Sequence, residues 1–184
     1  TSPGVVVMRG KVAVAGNPQF DFLIDSYWPS YADMVEKFGT FLQREAGRNG
    51  RRRLDGVATC NDNVRFSSVR FATPPTGGSI PPLTAQATAF CEFNGATVAD
   101  AVSMAGALGQ NIGAGAAVAS RSFGGLRTPV NSGFQIRFYF PSFPDFGAGI
   151  DRINQNPAAP TQENPISCNG PSLWAAYLIH QGNN

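Results

Sequence analysis

Charge is scarce in this chain. Asp, Glu, Lys and Arg supply only 14 % of its 184 residues, roughly half the usual share. The formal balance of +2 is too small to imply nucleic acid or an anionic membrane by itself. Low charge also leaves little repulsion between neighbouring copies, which suits proteins that pack into coats or fibres. Histidine is nearly absent, with His180 alone, and no two of Cys60, Cys91 and Cys168 form a CxxC pair, so a structural zinc site is not expected. The cysteines allow either one disulfide with a leftover thiol or three reduced, buried side chains. No N-x-S/T sequon is present. No apolar run approaches the roughly 18 residues that span a bilayer. "VVVMRGKVAVAG" is interrupted by Arg9 and Lys11 and lacks the marks of a signal peptide, so no membrane span or leader is expected. A chain that opens on Thr1 is expected to be processed or cut from something longer.

Several chemistries lack their motifs. Walker-type phosphate loops, HExxH, GxSxG and EF-hand loops do not occur, and "GAGAAV" at 113–118 has Val118 where a dinucleotide fingerprint needs its last glycine. No cofactor is expected. Nothing in the spacing of Asp21, Asp25, Asp33, Glu36 and Glu92 selects a catalytic pair. A hydrolase would have to use His180, which reads equally well as a strand-end residue.

What the chain does have is aromatic and turn-forming. Fourteen phenylalanines argue for a folded core, and 21 glycines with 14 prolines predict many turns and long loops. The length suggests one domain over 1–184. Alternation predicts a first strand over 5–15, with Val6, Met8, Val12 and Val14 on one face and Arg9 and Lys11 on the other. The clearest helix is 31–46, where Tyr31, Met34, Val35, Phe38, Phe41 and Leu42 make one apolar stripe. Ser30 and Asp33 open it, and Gly47 is placed to end it. Two short strands are expected about Asn61–Asn63, with a bulge at Ser67–Ser68 to keep Val64, Phe66, Val69 and Phe71 on one side; strands buried on both faces would also fit.

After a Pro/Gly connector, "TAQATAFCEF" alternates, with Ala85, Ala87, Ala89, Cys91 and Phe93 facing in and Thr84, Gln86, Thr88 and Glu92 out. A second helix runs from Val98 to about Leu108 behind a Thr97/Asp100 cap, and "GQNIGAGAAVASRSFGG" beyond it reads as a mobile or interface loop. "FQIRFYF" at 134–140 turns Phe134, Ile136, Phe138 and Phe140 inward and Gln135, Arg137 and Tyr139 outward. "PSFPDFGAG" and "NQNPAAPTQENP" read as a polar, proline-rich excursion, and "LWAAYLIH" at 173–180 as a final central strand.

This order predicts an α+β fold: a mainly antiparallel sheet with two amphipathic helices on one face, a βαββαβ-like core plus an extra strand. The alternative is a β-sandwich or jelly-roll with helical insertions. Two surfaces stand out as partner sites. Arg44 in the last turn of the 31–46 helix, with Arg48, Arg51, Arg52 and Arg53 in a loop around the turn signal "RNG", forms a basic cluster able to grip carboxylate or phosphate, and Tyr27, Trp28, Tyr31, Phe143 and Phe146 form an aromatic recognition surface. The function expected is a non-enzymatic structural subunit of virion-coat or surface-appendage type. It would be a homo-oligomer or bind a partner protein, with the arginines facing an acidic partner or nucleic acid. The alternatives are an extracellular adhesion domain that binds a glycan or cell-surface protein, and the His180 hydrolase. The location expected is a virion or the cell surface.

Overall fold

A computed structural model describes residues 5–11, 21–59, 65–73, 83–93, 95–125, 134–155, 166–169 and 171–181. Its strands are β1 (Val5–Lys11), β2 (Phe22–Tyr27), β3 (Arg65–Thr73), β4 (Leu83–Phe93), β5 (Ala116–Gly125), β6 (Phe134–Phe140), β7 (Ile166–Cys168) and β8 (Ser172–Gln181). The helices are α1 (Tyr31–Gln43), α2 (Glu45–Asp55), α3 (Val98–Ile112) and α4 (Phe143–Gln155). All strands join one antiparallel sheet in the order β2-β1-β8-β4-β6-β5-β3, and β7 pairs with β4. The fold is α+β, but neither the βαββαβ order nor two stacked sheets describes it.

One face of the sheet is the apolar core. Ala85, Ala87 and Cys91 of β4, Ala117 and Ala119 of β5, and Phe134, Ile136, Phe138 and Phe140 of β6 are buried there. The antiparallel register places these side chains beside one another. Helix α3 lies over β5 and α4 over β4 and β6. The small residues explain how α3 comes so close. Ala101, Ala105 and Gly109 recur every fourth position and are buried, and a Cβ on Gly109 would stand 2.9 Å from that of Ala117. Gly109→Leu overpacks this seam and is expected to cost about 2 kcal/mol of unfolding free energy in a urea titration; a neutral result would mean that α3 is not seated there.

Three helices start with the same device. Ser30 accepts from the Asp33 amide, Thr97 makes a full capping box with Asp100, and Ser142 accepts from the Asp145 amide while donating to its carboxylate. The third corrects the expected excursion at 141–149. Pro144 falls in the first turn of α4, where its missing N–H is an orphan donor anyway. The expected loop at 109–125 is also corrected, because α3 runs on to Ile112 and Ala116–Gly125 forms β5 beneath it. Pairing is continuous through Ser67 and Ser68, so no bulge lies there. Register shifts fall on either side, between Arg65 and Ser67 with the extra residue on β5, and between Phe71 and Thr73 with the extra residue on β3. Strand β2 was not anticipated, and no strand forms at 57–59. Val12, Val14, Cys60 and the Asn61–Asn63 turn lie outside the described residues.

Helix α1 departs furthest from expectation. Its periodicity is helical, yet none of its residues is buried. Val35 is 65 % exposed and Phe38 51 %, with Tyr31, Phe41 and Leu42 also exposed. The side chains of Asp33 and Lys37, an i,i+4 ion pair on the opposite side, are only 25 % and 29 % exposed. The apolar side of the helix is turned outward, and the element it packs on most is α2. The layer on the sheet is therefore α3 and α4, not α1 and α3.

Candidate functional site

Arg48, Arg51, Arg52 and Arg53 do not lie in a loop. Helix α1 stops at Arg44, whose extended backbone (φ −78°, ψ 144°) kinks the chain, and α2 restarts at Glu45 and carries Arg48, Arg51, Arg52 and Arg53. The "RNG" turn signal is overridden because arginine is a good helix former and the charges suit a helix. Glu45 lies in the first turn and Arg52 and Arg53 in the last, both matching the helix dipole. Arg51 pairs with Asp55 one turn on at 2.9 Å, and the Arg48 guanidinium donates to the Gln43 carbonyl at the end of α1. Gly47 does not cap α1. It is buried against Phe41, where any Cβ would collide with the Phe41 carbonyl, so glycine is what lets α2 fold back on the helix end. Arg44, Arg48, Arg51, Arg52 and Arg53 are all exposed. At helical spacing Arg48, Arg51 and Arg52 share one side of α2 while Arg53 points elsewhere.

The aromatic surface is not one surface. Phe143 and Phe146 pack on the apolar core, with the Phe146 ring edge-on to Phe140 at 5.4 Å. Tyr27 reaches into the other face of the sheet, and Trp28 donates to Ser26 beside it. Tyr31 opens the apolar stripe of α1. The sheet separates Tyr27 from Phe143 and Phe146.

That second face is enclosed, and this corrects the expectation that Arg9, Arg137, Thr84, Gln86 and Thr88 face outward. All five are buried. Gln86 pairs in register with Tyr139 and Thr88 with Arg137, and Trp174 and Ala176 of β8 continue the same side. The sheet curls until the Tyr27 hydroxyl of β2 meets the Tyr139 hydroxyl of β6 at 3.1 Å, although three strands separate them in the sheet order. Arg9 donates to Asp25 at 3.0 Å, approaches its second oxygen at 2.5 Å, and lies 5.6 Å from the Trp174 ring. Arg137 donates to Tyr27 and Gln135, each at 2.9 Å. Burial works against the Arg137 charge, but the oxygens of Tyr27, Asp25 and Tyr139 and the bond to Tyr27 hold its pKa above the ordinary value. Burial, with Tyr27 beside it, also raises the Tyr139 pKa well above 10.0.

The tyrosine shift has a sign that can be read in solution. The native state holds the Tyr139 proton more tightly than the unfolded chain does. This contributes stability that is complete below about pH 10 and lost as pH climbs through the raised value. Ultraviolet titration of tyrosinate is expected to show one late component that Tyr139→Phe removes. A titration unchanged by that substitution counts against the buried cluster.

His180 lies next to the β1–β8 irregularity, opposite Val6, and its Nε2 has no hydrogen-bond partner among the described residues. No group of His, Cys, Asp and Glu able to hold a metal occurs among them, and none of their helices is long and apolar enough to cross a membrane. The α1–α2 arm carries one exposed apolar face and one arginine face on a kinked helix pair, and further exposed apolar side chains lie on the sheet at Ile24, Leu83, Tyr177 and Ile179. No protein-family model matches the chain, and comparisons with curated proteins and with solved structures give no match.

Proposed function

We propose that the chain is a non-enzymatic subunit of a larger assembly, of virion-coat or surface-appendage type, and that the α1–α2 arm is its contact element. One observation carries the reading: α1 presents Val35, Phe38, Phe41 and Leu42 to solvent. Contiguous exposed apolar surface is the ordinary mark of a protein contact. The arginine side of α2 then meets an acidic partner surface, through bidentate contacts that arginine makes better than lysine. The Cys91–Cys168 disulfide suits an oxidising setting outside the cytosol. Light scattering coupled to size exclusion, followed by electron microscopy, tests the reading. Mass should rise with concentration and ordered particles or filaments should form. A monomer at millimolar concentration without particles overturns it.

A further inference from the structure

We infer that the apolar face of α1 is the seat of a second copy of this chain, packed antiparallel α1 against α1 about a two-fold axis near Phe38 and Gly39. The inference rests on the assembly reading and specifies its first contact.

Area comes first. Tyr31, Val35, Phe38, Phe41 and Leu42 are each about half exposed. At the size of such side chains, they leave on the order of 500 Å² of apolar surface per copy, or on the order of 1,000 Å² for a pair. That reaches the lower bound of a specific protein interface. Shape is the second argument. Gly39 is a poor helix former in the middle of α1, yet nothing lies within 4 Å of where its Cβ would be, so no contact inside the chain requires it. Gly39 and the exposed Ala32 lie seven residues apart along one flank of the stripe, which leaves room for a close helix crossing. About a two-fold axis at this point, Phe38 of each copy covers Gly39 of the other, an isologous fit.

Charge selects the occupant and its direction. Amphipathic helices that lie on membranes flank their apolar face with Lys and Arg. Helix α1 itself has only Lys37, already paired to Asp33, beside the acids Asp33 and Glu36, and the arginines stand beyond its end, at Arg44 and on the separate helix α2. A lipid surface is a poor match. A second copy brings no unpaired charge into the contact, and a chain of net charge +2 offers little long-range repulsion. Parallel packing would set two α2 helices side by side, each with Arg48, Arg51, Arg52 and Arg53. Antiparallel packing sends them to opposite ends.

Sedimentation velocity over a concentration series tests this with three chains. The parent should dimerise or assemble further. Phe38→Glu, at an exposed position, should weaken the dimer at least 100-fold with its circular dichroism unchanged. Gly39→Leu should weaken it at least 10-fold while the helix melts no earlier than in the parent. In a Cys60→Ala background, Phe38→Cys should form a disulfide between copies and Tyr31→Cys should not. Assembly unaffected by Phe38→Glu and Gly39→Leu overturns the α1 pairing and leaves the assembly reading standing. A monomer at every concentration removes both. Efficient linkage through Tyr31→Cys overturns the antiparallel arrangement. Flotation with phosphatidylcholine–phosphatidylserine vesicles that depends on Phe38 gives the face to lipid and overturns the proposal.

Discussion

Replacing Cys91 and Cys168 together by alanine is expected to lower the unfolding free energy by about 4 kcal/mol. The two sulfurs are bonded and the residues are 77 apart in sequence, so the bond closes a long loop in the unfolded chain. Chain-entropy arguments place such a loop at roughly 4–5 kcal/mol, near the top of the usual range. The native side points the same way. Strand β7 has three residues, and its pairing with β4 sets Cys91 opposite Cys168, Glu92 opposite Ser167 and Phe93 opposite Ile166. Ile166 is buried in the apolar core, and the Asn169 N–H just beyond the strand donates to the Phe90 carbonyl. The loop contains α3 and α4, the helix layer on the apolar face, and β5 and β6, two of the strands beneath it. Urea titration with and without reductant measures the effect, and a loss under 1 kcal/mol would mean that the pair is not bonded. Helix α1 lies outside this loop, so association through the arm should survive reduction at temperatures where the reduced chain stays folded.

Some of this was legible beforehand, for physical reasons that can be named. The α1 periodicity and its Ser30 cap identified a helix, but a stripe records only that one side is apolar. It does not record what covers that side. The same limit governed β4 and β6. Alternation at Thr84, Gln86, Thr88 and Arg137 separated two faces correctly, and the second face was then assigned to water. Its enclosure depends on Tyr27 meeting Tyr139 across 112 positions of sequence, which no local pattern encodes. Helix α4 was different, because its signal was present: Ser142 and Asp145 repeat the signature used for α1 and α3, and the neighbouring prolines masked it. Strand β5 was hidden by composition. An Ala, Gly and Ser run looks featureless, although small residues are what a strand under a close helix requires. The arginines were found as a cluster and misplaced as a loop, since a turn signal weighs less than a helix whose charges suit its dipole.

The arm and the enclosed face place opposite demands on charge. Outside, Arg44, Arg48, Arg51, Arg52 and Arg53 are hydrated and their pairs are worth little individually. Inside, every guanidinium needs compensation, because burial strips its water. Among the described residues the inner face holds two arginines, Arg9 and Arg137, and one acid, Asp25.

Asp25→Ala is therefore expected to cost about 3 kcal/mol at neutral pH, since it leaves both buried cations without a counter-charge. Removing one partner of a buried pair typically costs about 3–5 kcal/mol, and the side chain of Asp25, at 20 % exposed, belongs at the lower end. Asp25→Asn keeps the shape and should lose most of the same energy, which separates charge from packing. The paired change Arg9→Met with Asp25→Leu should fall within about 1 kcal/mol of the parent, because it removes the ion pair as a unit. Arg137→Met carries the opposite expectation to Asp25→Ala. It withdraws a cation whose hydrogen-bond partners are the neutral oxygens of Tyr27 and Gln135, and Tyr27 still has Tyr139. That variant should be close to neutral or slightly more stable. Chemical denaturation of the four variants decides the matter. Equal losses from Asp25→Ala and Arg137→Met would show that the curl depends on the Arg137–Tyr27 clasp more than on charge balance, and a harmless Asp25→Ala would mean that water reaches Arg9.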